Sequence, residues 1–178
     1  MSEFEALSEL APYFSEPFSE SEEEKIDELF SIFKRDFYEQ PFSVDDIKVQ
    51  VKIHPYTNHL KDGLPEFFCG YYEKFVHLVT REVKGRLTIS PKQRSFVMNR
   101  ANRIHWLKPI LLHASDPLIT TFKIEEADGS IRNYFWYKAK KFMVVLEMIL
   151  PNYILITGFC VDDKNIRYYE RLYNRRLI

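Results

Sequence analysis

Between Leu118 and Val161 four strand-like runs follow one another with no room for a helix between them: Leu118 to Glu125, Ile131 to Lys138, Phe142 to Leu150 and Tyr153 to Val161. Links that short join antiparallel neighbours, because a parallel pair needs a crossover of a dozen or more residues. The spacing predicts an antiparallel meander whose order in space follows its order in sequence. Asp128-Gly129 stands where a tight hairpin needs positive φ, and Pro151-Asn152 turns the chain between the last two runs. The third run, FMVVLEMIL, is apolar on both faces apart from Glu147. It is expected in the interior of the sheet, covered on both sides.

The remaining segments read as elements packed around that sheet, an α+β fold with one main body. From Ser21, the residues Ile26, Leu29, Phe30, Phe33 and Phe37 recur on one helical stripe that ends near Gln40-Pro41. Residues 1–20, with Pro12, Pro17 and scattered Ser and Glu, read as a loosely tethered arm. Ile47 to Ile53 alternates apolar and polar residues as a half-buried strand does, and Glu73 to Val83 is read as a second strand. Ser90-Pro91 predicts the start of a helix with Val97, Ala101, Ile104, Leu107 and Leu111 on its apolar face, kinked or divided at Pro109. Lys164 to Arg176 is expected to close the chain as a helix.

Charge divides this sequence unevenly. Residues 1–46 hold 14 Asp and Glu against 3 Lys and Arg, a balance of −11, whereas residues 47–178 hold 12 against 22, a balance of +10. An acidic amino-terminal arm and helix (1–46) joined to a basic body (47–178) suits a protein that binds a polyanion, although a solvated surface can also be lopsided. Glu22, Glu23 and Glu24 have a plain role as well, since acidic residues in a first helical turn complement the helix dipole. Two cysteines, Cys69 and Cys160, are too few for a disulfide scaffold and lack the paired spacing of a zinc site. The acidic amino terminus is unlike a secretory signal, and no apolar run reaches the ~20 residues that span a bilayer. A cytoplasmic protein without a membrane partner is expected.

The order FVHLVTRE, NRANRIHWLKPIL, YFWYK, FMVVLE, YILITGF resembles the phage-associated branch of the barnase/EndoU/colicin/RelE-like (BECR) nuclease superfamily over roughly residues 70–175. The likeness lies in a His/Arg strand, an Arg-rich helix before a Trp, and a Thr in the last core strand. It implies a BECR/RelE-like sheet with helices, and a metal-independent, toxin-like endoribonuclease that cleaves RNA by attack of the 2'-hydroxyl. A protein inhibitor or antitoxin is an implied partner beside RNA. The paired histidines of the EndoU branch are absent, so acid and base stay unassigned.

Such cleavage needs a proton carrier near the ribose and cations around the phosphate. His77 titrates nearest neutrality, and Arg81, four residues along the same strand, points to the same face ~13 Å away, so that the two would flank a substrate. Arg100 and Arg103 share a helix side and present planar donor forks for phosphate. Thr157 breaks an apolar strand and is expected on one face with Leu155 and Phe159. These five form the candidate catalytic set. Lys108, Trp136, Lys138, Arg175 and Arg176 are candidate RNA contacts, with Trp136 either a stacking platform or aromatic core. His54, His59 and Asp62 lack the regular structure that would make them metal ligands, and neither metal nor cofactor is expected. Two other functions stay open: a nucleic-acid-binding protein without catalysis, and a phage or mobile-element module that binds protein through its aromatic surface.

Overall fold

The computed structural model describes residues 6–16, 22–83 and 92–178. In chain order the elements are α1 (Glu22–Lys34), running on into a π-helical turn at Arg35–Glu39, the strands β1 (Ser43–Val44) and β2 (Ile47–Gln50), and the short helix α2 (His59–Asp62). Then come α3 (Glu73–Val79), the hairpin strands β3 (Thr80–Val83) and β4 (Gln93–Phe96), and two short helices, α4 (Met98–Ala101) and α5 (Leu107–Leu112). The meander β5 (Ile119–Glu125), β6 (Ile131–Tyr137), β7 (Phe142–Ile149) and β8 (Asn152–Cys160) precedes α6 (Asp163–Asn174).

The architecture is α+β, built on a six-stranded sheet of order β1-β2-β8-β7-β6-β5. From β5 to β8 every neighbour is antiparallel, and β7 lies between β6 and β8. The sheet as a whole is nevertheless mixed, which corrects the expectation of an antiparallel meander alone. Strand β2 pairs in parallel with β8 through Val49 and Tyr153, and Gln50 and Ile154. The long chain between β2 and β8 supplies the crossover that parallel pairing requires. A register shift opposite Val145 and Leu146 leaves Ile156 as an extra residue in β8. Because one extra residue reverses the alternation of faces, Leu155 joins the larger core while Phe159 packs with α6. Thr157 and Leu155 therefore do not share a face, contrary to the simple alternation.

One face of the sheet carries the larger core, in which Leu29 and Phe33 of α1, Phe75 of α3 and Ile110 of α5 meet Phe135, Val144 and Leu155. Each such fully buried side chain contributes about 1.5–3 kcal/mol relative to exposure. Leu7 and Leu10 belong to the same core. Residues 6–16 are thus firmly held and not a loose arm: Tyr13 N–H donates to the Asn102 carbonyl, and the Asn102 side chain bonds both the N–H and the carbonyl of Phe14. The other face is covered by α6, whose Leu172 packs with Phe122, Tyr134, Trp136, Met143 and Val145.

Two segments differ from their reading as sequence. Glu73 to Val79 is a helix and only Thr80 to Val83 is a strand. Phe75, Val76, Leu78 and Val79 are all buried while Glu73 and His77 stay exposed. Apolar residues at steps of one, three and four are the pattern of a helix face, and the shorter alternation hides inside it. The helix expected from Ser90-Pro91 starts in a stretch outside the described residues, and Gln93–Phe96 pairs as a strand with Thr80–Val83. Helical structure begins only at Met98 and breaks at Asn102 and Arg103, so that Pro109 falls in the first turn of α5, where its missing N–H costs nothing.

Candidate functional site

The end of α3, the β3–β4 hairpin and α4 meet the edge of β8. Strand β2 pairs with β8 at Tyr153 and Ile154, and among the described residues the rest of that edge has no strand beside it. Cations take the place of a strand. Lys74 Nζ donates to the Ile156 carbonyl at 2.7 Å, and Arg100 Nη2 donates to the Gly158 carbonyl at 3.2 Å and the Thr157 hydroxyl at 3.3 Å. Gly158 has no room for a side chain, since a Cβ there would run into Leu107.

Fully buried Thr80 is the centre of the arrangement. Its hydroxyl donates to the Val76 carbonyl at 2.7 Å and accepts from Arg94 Nε at 2.8 Å. Its carbonyl accepts from Arg100 Nη1 at 3.0 Å and from Arg94 Nη2 at 3.3 Å. Two guanidiniums thus converge on one residue, with Arg81 next in the chain. Burial first, and then the charges of Arg94 and Arg81, pull the Arg100 guanidinium down to about 10, which still leaves it charged at neutral pH. Its buried Nε–H has no acceptor among the described residues. Among the described residues Arg81, Arg94, Arg100 and Arg103 make no ion pair with a carboxylate.

His77 lies one turn before this cluster, on the outer side of α3, with 45% of its side chain exposed and Nε2 at 4.0 Å from Glu73. Desolvation holds its imidazole below the ordinary value, Arg94 and Lys74 push the same way, and Glu73 and Asp62 oppose them. It is neutral at pH 7 and able to accept a proton. Because His77 is on a helix and Arg81 on the following strand, the ~13 Å separation along one strand face that the sequence suggested does not apply.

Of the residues singled out beforehand, Arg100 and Thr157 touch, and Arg81 and His77 belong to the same neighbourhood. Arg103 differs: its Nη1 donates to the Asn99 carbonyl, and its guanidinium lies over Trp106 at 5.1 Å. Lys108 is buried, bonded to the Gln40 carbonyl at 2.9 Å, and is no surface cation. Trp136 is only 2% exposed and packs beneath α6, so it offers no platform for a base. Lys138, Arg175 and Arg176 gather instead around the carboxyl end of α6, on the sheet face opposite α3. Lys138 and Arg176 flank the Tyr173 ring at 5.6 and 4.1 Å, while Arg175 caps the helix.

Arg94 is the central residue that sequence reasoning missed. Its segment, KQRSF, holds a single apolar residue and no alternation, so the strand that carries Arg94 becomes visible only through its pairing with β3. Among the described residues no three His, Cys, Asp or Glu side chains gather as a metal site. No helix among those residues is long and apolar enough to cross a membrane. Comparison with protein-family models, with curated proteins and with solved structures gives no match to this chain.

Proposed function

We infer that this protein binds RNA along the basic surface formed by α3, β3, β4 and α4, and cleaves it without a metal ion. The observation that carries the reading is the set of arginines without carboxylate partners, Arg81, Arg94 and Arg100, next to a half-exposed neutral histidine. Cations brought together without counter-charges call for an anion, and guanidinium forks suit phosphate. In this account His77 takes the proton from the 2'-hydroxyl, Arg81 and Arg94 meet the growing charge on the phosphate, and Arg100 anchors the wall with Thr157. Membership of the BECR-like nucleases, action in the cytoplasm and control by a protein inhibitor are parts of the same proposal.

A second reading has its own support. Arg100, Lys74 and Thr157 are engaged by the edge of β8, which leaves half-exposed His77 as the one proton carrier among the described residues of the cluster. A protein that holds RNA and does not cut it needs no more than that.

The binding half of the proposal is tested with Arg94→Ala and a single-stranded RNA. Affinity should fall about 5- to 30-fold near 0.1 M salt, for the loss of about 1–2 kcal/mol of charge-assisted contact, and the slope of log K against log salt should become shallower by roughly 0.7. Unchanged affinity and slope would remove this surface from consideration.

A further inference from the structure

The segment before α3 holds a contact that the RNA reading does not use. Cys69 Sγ and His59 Nδ1 lie 3.0 Å apart, and both side chains are partly open to solvent. The two are set in place from either side. The His59 carbonyl accepts from the N–H groups of Gly63, in the left-handed conformation that ends α2, and of Leu64 at 2.9 Å. One turn on, Asp62 accepts from the buried Tyr56 hydroxyl at 2.6 Å, which fixes the helix on the core. Cys69 is carried on a 3-10 turn (Glu66–Gly70), between Phe68 and Tyr71, whose rings are buried on either side of it.

We propose that Cys69 and His59 form a nucleophilic thiol–imidazole pair and that Cys69 is a site of reversible modification by low-molecular-weight disulfides. A nucleophile within hydrogen-bond reach of a base, with both held by the surrounding fold and both reachable from solvent, is the arrangement that activates a thiol. The imidazole takes the thiol proton. The thiolate then attacks one sulfur of the disulfide, a new sulfur–sulfur bond forms at Cys69 as the old one breaks, and the departing half leaves with the electron pair as a thiolate. His59 returns the proton to that leaving group. Cys69 is oxidised as the disulfide is reduced, and no other oxidant enters.

Cys160 provides an internal comparison, since it is the one other cysteine in the chain and has no histidine contact among the described residues. Its Sγ donates weakly to the Asn99 carbonyl at 3.6 Å, and burial pushes its thiol up despite Arg103 and Arg100 nearby. A thiol that passes its proton to a neighbouring imidazole is the better nucleophile near pH 6.5, by about tenfold once the weaker intrinsic nucleophilicity of a stabilised thiolate is allowed for.

The full chain is treated with a limiting amount of 4,4'-dithiodipyridine between pH 6 and 8, and in a second arm with oxidised glutathione, and modified peptides are assigned by mass. Cys69 should react about tenfold faster than Cys160 at pH 6.5, with a rate that rises only slightly with pH. His59→Ala and His59→Gln should slow Cys69 about tenfold and restore a steep rise, near tenfold per pH unit, while the Cys160 rate stays constant as a check on the fold. If one variant also raises the Cys160 rate, the other variant and the pH profile of the native chain decide. A native Cys69 rate no greater than that of Cys160, or one that climbs tenfold per pH unit, overturns the proposal. So does a His59 variant that keeps the native rate and profile with Cys160 unaffected. RNA binding is not involved in any of these readings, and the two proposals can fail separately.

Discussion

A histidine can be kept neutral in two ways here, with different consequences. His77 is open to solvent and depressed by desolvation and by cations, so it stays available to a substrate. His105 is turned inward: its Nε2 is 2.9 Å from the Ala11 carbonyl, which also accepts from Trp106 Nε1. Burial pushes its imidazole down to about 4, against the favourable bond to Ala11. A histidine depressed on folding is taken up in protons first by the unfolded chain, so the stability it contributes is present above ~6.5 and is lost as pH falls through about 4. Thermal unfolding of the native chain should therefore show a fall in midpoint between pH 6.5 and 4 that His105→Gln flattens. A variant with the same slope as the native protein would place the acid sensitivity elsewhere. At Gly158 the constraint is space: Gly158→Ala drives a methyl into the Leu107 side chain, itself buried, and should cost about 1–3 kcal/mol in denaturant titration.

Among the elements, the amino-terminal segment shows how far a side chain can replace secondary structure. Asn102 holds residues 13 and 14 through three hydrogen bonds, at 2.9, 2.7 and 2.9 Å, two of them from its own amide group. Asn102→Ala removes both side-chain bonds at a buried position and should cost about 1–3 kcal/mol, with faster proteolytic cleavage within residues 6–16 as the local sign. Neither the anchoring nor its partner was legible in the sequence, because an asparagine 88 residues away carries no local pattern. The meander was legible, since short links and a Gly at positive φ are local matters; Gly129 has φ 82° in the hairpin after Asp128. The stripe of α1 was legible too, with Ile26, Leu29, Phe30, Phe33 and Phe37 all buried. Helix α3 was misread because FVHLV satisfies both periods, and only burial of Val76 and Leu78 together with Phe75 and Val79 separates them. The parallel pairing of β2 depends on two residue pairs distant in sequence, and no periodicity announces it.

Over the whole molecule the charge asymmetry takes on a shape. Lys138, Arg175 and Arg176 cluster on the α6 side, while Arg81, Arg94 and Arg100 lie at the edge of β8, so the basic body has two separate cationic regions and not one groove. Glu22, Glu23 and Glu24 line a pocket of roughly 590 Å³ together with Arg94, Ser95 and Phe96, which brings the acidic start of α1 to the border of the second region. The second region has His77 beside it, and the account of catalysis rests there. The direct test is single-turnover cleavage of a labelled RNA, in the presence of a chelator, by the native chain and by His77→Ala. The account predicts products ending in 2',3'-cyclic phosphate, a rate that holds through the ordinary histidine range and falls only at lower pH, where the depressed His77 gains its proton, and a loss of ~10²- to 10⁴-fold in His77→Ala with RNA binding retained. RNA that is bound and left intact by the native protein, or cut equally well by the variant, contradicts it.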